Sequence, residues 1–151
     1  MAKPLVFMMG RSPTFLPTDR RYARNHLWAE ALEGSHRFGF SAYAVKLLGE
    51  IYHLQWSIAP GAEVQRGQQI GFIEASKATS DLYAPASGRI RQINAGVLAT
   101  PDLINTNPYD TGWLFCTTAG DDSFLSAEEY LAYLETCWPL AQRLLKGQAG
   151  R

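Results

Sequence analysis

Lys77 stands in a run of small residues, Ala75, Ser76, Ala78 and Thr79, with Glu74 and Asp81 as the nearest acids along the chain. A lysine in a polar turn is ordinarily a solvated charge, because an ammonium is costly to bury. Two features single this one out. The chain has four lysines against ten arginines, so lysine is not its routine surface cation. The small neighbours also leave the amine open to a modifying enzyme. Lysine suits acylation, being a primary amine on a long flexible stem whose charge an amide removes. A Schiff-base nucleophile is the competing chemistry, but catalytic amines are desolvated to lower their pKa, and a polar turn does the reverse.

Other constellations offer less. His26, His36 and His53 show no ligand spacing and no partner cysteines, so no metal site is expected. Chain order alone supports no Ser–His–Asp arrangement, and neither a P-loop nor a G-x-G-x-x-G run is present. Cys116 and Cys137 form no C-x-x-C pair and no disulfide framework, which fits a reducing compartment. Fourteen basic and fourteen acidic residues cancel to a net charge of +0. That leaves no broad field to draw nucleic acid or an anionic membrane, and neither is expected as a partner. No apolar run approaches the length of a membrane span. Residues 1–18 are basic and acid-free, as transit peptides are, yet Pro4, Pro13 and Pro17 break the helix such a peptide needs. A bacterial cytoplasmic location is the expectation.

The elements that must hold Lys77 can be read from turn chemistry. At 151 residues, 46% hydrophobic and 19% charged, the chain suits one globular unit rather than disorder. Apolar runs at 70–73 and 82–84, bounded by Gly and Pro, flank the Lys77 segment as a β-hairpin with the lysine at or beside its turn. Upstream, residues 25–31 and 37–41 flank Glu33-Gly34-Ser35-His36 as a first hairpin. Ser41 is placed to cap a short helix over 42–48, which Gly49 ends. Residues 51–56 read as a strand, 59–62 and 65–68 as turns, and 89–94 as another strand. Residues 95–108 read as a polar loop with one helical turn near Pro101-Asp102-Leu103, and 112–117 as the closing strand. Ser126-Ala127-Glu128-Glu129 is a capping box opening a helix whose Leu131, Leu134 and Trp138 share one face. Pro139 should stop or kink that helix, with a further turn or two over 140–146 and a frayed end over 147–151. Short strands punctuated by Gly and Pro predict an all-β sandwich or barrel. Trp28, Tyr43, Trp56, Tyr109 and Trp113 are read as core or turn-packing residues.

The residues around Lys77 also carry a family likeness. Glu74-Ala75-Ser76-Lys77-Ala78, then Ser80-Asp81-Leu82-Tyr83-Ala84-Pro85 and Ser87-Gly88, resembles the lipoyl-attachment segment of the glycine cleavage system H protein family, E-S-x-K-A-x-S-D-x-x-S/A-P-x-S-G. Arg21-Tyr22 and His26-Leu27-Trp28 resemble its R-Y and H-E-W opening. Gly39-Phe40-Ser41-Ala42-Tyr43-Ala44 through Leu48-Gly49-Glu50-Ile51 resembles its G-I-T-x-x-A and L-G-D/E-I/V runs. Pro60-Gly61 and Gly67 fall at its P-G and K-G turns. Leu103-Ile104-Asn105, Asn107-Pro108-Tyr109 and Gly112-Trp113-Leu114 resemble its L-V-N-x-x-P-Y-x-x-G-W-L. The likeness covers about residues 21–135.

That resemblance implies a mainly β barrel-sandwich hybrid of the lipoyl-domain type, with a short helix after the first hairpin and a C-terminal helix. It divides the chain into an N-terminal extension (1–20), a lipoyl-carrier domain (21–120) and a C-terminal helical segment packed on it (121–151). It implies lipoate bound covalently to Lys77, with Glu74 and Asp81 recognised by the lipoate-attaching enzyme. The implied role is a monomeric carrier subunit, itself without catalytic residues. Such a carrier shuttles an aminomethyl group and electrons among a pyridoxal-phosphate glycine decarboxylase, an aminomethyltransferase and dihydrolipoyl dehydrogenase. Biotin is the rival modification on the same fold, but biotin-acceptor lysines lie between methionines, and Ser76 and Ala78 flank this one. The pattern departs at Leu27, where the family has a glutamate facing the bound aminomethyl group. Gln55, His53 and Trp56 also differ from the usual V-x-V-E-L-P run. An H-protein-like lipoyl carrier for another pathway, such as sulfur or lipoate transfer, is one alternative. An unmodified interaction domain of the same fold is the other.

Overall fold

Alternating burial along the strands sorts the chain into two facing sheets. The computed structural model describes residues 3–118 and 123–149. In the larger sheet, β3 (Arg21–Tyr22), β4 (Leu27–Leu32) and β5 (Ser35–Phe40) continue through β11 (Phe115–Thr118) and β10 (Gly88–Ile93) to β7 (Glu63–Val64). The smaller sheet orders β6 (Ile51–Trp56), β8 (Gln69–Ala75) and β9 (Thr79–Tyr83). Phe38, Phe40, Ile90 and Phe115 from the first meet Ile51, Leu54, Ile70, Ile73 and Leu82 from the second in one buried cluster. Period-two strands with one apolar face can bury it only against another layer, and here that layer is the opposite sheet. The result is a sandwich whose sheets stay open, in keeping with the expected lipoyl-domain architecture.

The first hairpin is tighter than the sequence suggests. Its turn is Glu33-Gly34, with Gly34 at φ +69°, and Ser35 and His36 already pair with Leu32 and Ala31. Glycine suits the second position of this turn, because it takes positive φ without the steric cost a side chain would bring. Helix α1 (Ala42–Leu48) forms as expected. The Ser41 side chain accepts the Ala44 N–H, and the Gly49 N–H closes the helix on the Val45 carbonyl. Strand β7 was not legible, because two residues carry no periodicity; it exists by pairing with Gly88 and Arg89. The stretch read as a loop with one helical turn instead folds as two, α2 (Ala95–Ala99) and α3 (Asp102–Thr106). Asn94 caps α2 through the Gly96 N–H, and Val97 and Ile104 are fully buried beneath the pair. The closing strand starts at Phe115 rather than at Gly112, since the backbone from Asn107 to Trp113 is spent on turns.

Helix α4 (Ala127–Ala149) opens on the expected capping box. Glu129 accepts the Ser126 N–H, and Ser126 accepts the Glu129 N–H. Its deepest residues are Ala127, Tyr130 and Leu134, whereas Leu131 and Trp138 are only half-buried. The anticipated stop at Pro139 does not occur: the helix runs on through the proline. Its packing face is complete before that point, and Leu140 and Leu144 beyond it are 57% and 62% exposed. The end of the tail read as frayed, residues 150–151, lies outside the described residues.

Residues 1–20 hold a further hairpin, β1 (Leu5–Met9) with β2 (Ser12–Leu16). Its inner face, Phe7, Met9, Thr14 and Leu16, is buried, while Val6, Met8 and Phe15 face outward. Phe7 meets Tyr43 of α1 and Trp138 of α4 edge-on, at 6.0 and 6.4 Å between ring centroids. Tyr22 of β3 stacks on Tyr130 at 4.5 Å. The extension, α1 and α4 therefore share a second apolar cluster on the outer side of the large sheet.

Candidate functional site

Lys77 lies at the tip of the β8–β9 hairpin, in the turn Ser76-Lys77-Ala78. The Ala75 N–H bonds the Ala78 carbonyl at 2.9 Å across it. The tip does not hang free. The Ser76 N–H donates to the Glu50 carbonyl at 2.8 Å, and the Glu50 N–H donates to Ser76 Oγ at 2.9 Å. The Lys77 N–H donates to the Leu48 carbonyl at 3.0 Å. Asn105 braces the other side: its Nδ2 donates to the Gly49 carbonyl and its Oδ1 accepts the Ile51 N–H. The Lys77 turn is thus strapped to the α1–β6 connection.

That approach is possible only because residue 49 has no side chain. A Cβ there would fall 2.3 Å from Ser76 Oγ and 3.0 Å from Lys77 Cγ. Gly49 also holds φ +80° with ψ −152°, a region open essentially to glycine alone. Above this anchored backbone the Lys77 side chain is exposed, its Nζ 3.4 Å from the Lys46 carbonyl at the end of α1. Among the described residues, no carboxylate pairs with it.

Glu74 pairs across the hairpin with Thr79, and Asp81 with Phe72. Residues two apart on a strand share a face, as do cross-strand partners, so both carboxylates lie on the hairpin's outer surface. Both are exposed; Asp81 also accepts a hydrogen bond from Gln69 Nε2 at 3.1 Å. The second and third strand residues after the turn do something the sequence did not reveal. Ser80 and Asp81, with Leu82 and Tyr83, form one edge of a cavity of about 160 Å³ between the sheets. Leu27, Phe40, Leu48 and Ile70 make its apolar walls, and Asn25 and His26 complete the polar part. Asn25 Nδ2 donates to the Tyr83 carbonyl at 3.0 Å and ties the β3–β4 loop to β9. Leu27 was legible as a departure from the motif, but its cavity was not, because the walls come from segments far apart in the chain.

His26 takes φ +72°, and its Nδ1 lies 2.8 Å from the Tyr130 hydroxyl, which in turn lies 2.8 Å from Ser41 Oγ. The ring keeps an edge on the cavity yet packs against Tyr43, Tyr130 and Tyr133. Burial there pushes its pKa down from 6.5 to about 4. Between those values the unfolded chain takes up a proton that the folded one refuses, so stability rises with pH across the window. Acidification from pH 6.5 towards 4 is expected to remove at most about 3 kcal/mol through this residue. Urea midpoints at pH 7 and 4.5 should show the loss, and His26→Asn should flatten it. An unchanged slope in the variant would assign the effect elsewhere. His36 rests against Phe124 and His53 against Phe72, so the structure brings the three histidines to separate places. Among the described residues, no helix is long and apolar enough to cross a membrane.

Comparison with known proteins agrees with this geometry. The sequence model described as Glycine cleavage H-protein matches residues 20–137. A glycine cleavage system H protein of Alcanivorax borkumensis is 36% identical over 125 residues, covering 80% of this chain and 97% of its own. The mitochondrial glycine cleavage system H protein of Drosophila melanogaster is 34% identical over 128 residues, covering 82% of this chain and 77% of its own. Among solved structures, the crystal structure of a glycine cleavage system H protein from Mycobacterium marinum superposes with a TM-score of 0.71 at 34% identity, over 78% of this chain and 97% of that one. With the match spanning both sheets of the sandwich, the strapped lysine turn and the first half of α4, the chain belongs to the glycine cleavage H-protein family.

Proposed function

We propose that this protein is the lipoyl carrier of a glycine cleavage system and that lipoate is joined to Lys77 through an amide. The observation that carries the reading is an exposed amine, paired with no carboxylate among the described residues, on a turn fixed by three hydrogen bonds to the α1–β6 connection. A rigid support lets one tether be presented to several enzymes without the carrier refolding. Bound lipoate supplies a dithiolane able to take up an aminomethyl unit and two electrons, chemistry that belongs to the cofactor rather than to the protein. The chain's own residues position it. Glu74 and Asp81, both on the outer face of the hairpin, are the groups a lipoate-attaching enzyme would read.

The cavity under β9 suits an acyl chain and a dithiolane, since its walls are apolar and its polar atoms few. Leu27 lines it where the family carries a glutamate, and leucine cannot hold an amine. Of the residues lining that cavity Asp81 alone is acidic, and its carboxylate stands on the hairpin's outer face. The partners follow from the role: a pyridoxal-phosphate glycine decarboxylase, an aminomethyltransferase and dihydrolipoyl dehydrogenase, all served by a monomeric carrier in the cytoplasm.

Trypsin digestion after expression in lipoylation-competent cells should leave residues 67–89 uncut, with a lipoyl mass increment. Cleavage at an unmodified Lys77 would reject the attachment. The lipoylated protein, mixed with glycine decarboxylase, should support exchange of labelled bicarbonate into glycine. A modified protein inactive in that exchange would remove glycine cleavage while leaving a lipoyl carrier.

A further inference from the structure

A second recess lies on the other side of the acceptor lysine, and Lys77 itself forms part of its wall. It is a groove of about 420 Å³ between the β1–β2 turn and the end of α1, faced by Met9, Ser12, Val45, Lys46 and Lys77. Its outer wall is secured, because Lys46 Nζ donates to Ser12 Oγ at 2.8 Å and also to the Pro13 carbonyl. The lysine is already directed this way. Its methylenes lie over Gly49, with Cγ and Cδ 3.0 and 3.3 Å from where a Cβ would be, and its Nζ approaches the Lys46 carbonyl. The family match starts at residue 20, so the β1–β2 wall lies outside the matched region.

We propose that this groove is a resting seat for the acyl chain carried on Lys77, distinct from the cavity under β9. The inference rests on Lys77 being the attachment site. Acylation exchanges the ammonium for an amide whose remaining N–H can keep the same carbonyl, so the stem need not change direction. Beyond the amide, an uncharged chain meets the Val45 side chain and the Met9 thioether, a flexible, polarizable group suited to irregular apolar contact. Met9 points inward, whereas its neighbour Met8 is 50% exposed on the opposite face of the same strand. Seating the arm here would hold the ring beside the added hairpin and away from Leu27.

The chain has three methionines, so methyl-13C-methionine labelling gives a spectrum simple enough to decide the matter. Spectra are compared before and after enzymatic lipoylation of the full chain, with intact mass as the control and Met8→Leu to assign the neighbouring signal. The expected result is a Met9 methyl resonance displaced by more than its line width, with nuclear Overhauser contacts to the methylenes of the arm, and a Met8 resonance that stays in place. Contacts to Leu27 or Leu82 methyls without any to Met9 would overturn the seat, as would an arm with no contacts at all. A missing mass increment would instead overturn the attachment itself, and the seat with it.

Discussion

Lys77→Arg is expected to abolish lipoylation completely while leaving the fold unchanged. Arginine keeps the positive charge and a similar stem, but its guanidinium stays protonated at any working pH and offers no free amine to acylate. The side chain is exposed, and among the described residues its one polar contact is a 3.4 Å approach to the Lys46 carbonyl. Substitutions of that kind usually move stability by no more than about 0.5 kcal/mol. The backbone straps run through Ser76 and the Lys77 N–H, which arginine retains. Co-expression with a lipoate ligase, followed by intact mass and a urea titration, measures both halves. A surviving increment would place the group on Lys3, Lys46 or Lys146 and defeat the assignment. A lowered urea midpoint would show that the ammonium matters to the fold.

Gly49→Ala is expected to damage the same site from behind. The glycine's φ and ψ lie where a residue with a Cβ is strained by about 1–3 kcal/mol. The added methyl would also meet Ser76 Oγ, which cannot retreat without losing the Glu50 N–H. Relief comes most easily by lifting the lysine turn off the α1–β6 connection. If about 1.4 kcal/mol of the cost appears as displacement of the acceptor turn, lipoylation should slow roughly tenfold. Gly61→Ala is the matched control, since Gly61 also has positive φ but open space where its Cβ would go. Time courses of modification by mass and urea midpoints for the two variants separate backbone strain from the clash. Equal lipoylation rates in both would show that the strap does not position the amine.

The hairpin with Lys77 at its tip, α1 with its Ser41 cap and Gly49 stop, and the capping box at Ser126 could all be read from the chain. Each is fixed by residues within a few positions of one another: the N-cap bond of α1 joins Ser41 to Ala44, and that of α4 joins Ser126 to Glu129. Turn chemistry and hydrophobic period act over that range, so a string of residues carries them. Lys77 was legible for the same reason, its hairpin being marked by its own Gly, Pro and alternation. The two short helices after Asn94 were not legible. Propensity there gives way to burial of Val97 and Ile104 against distant partners.

What fits Lys77 for its task came only with the tertiary structure. The strap joins Ser76 to Glu50 across 26 positions, and its brace joins Asn105 to Gly49 across 56. The cavity under β9 draws its walls from stretches as far apart as 25–27, 80–83 and 114–115, and the groove beside Lys77 needs the N-terminal hairpin docked on α1. Sequence alone singled out the candidate amine, because chemistry belongs to a residue. Tertiary structure decided how firmly that amine is held and what lies within its reach, because packing belongs to contacts that no local pattern records.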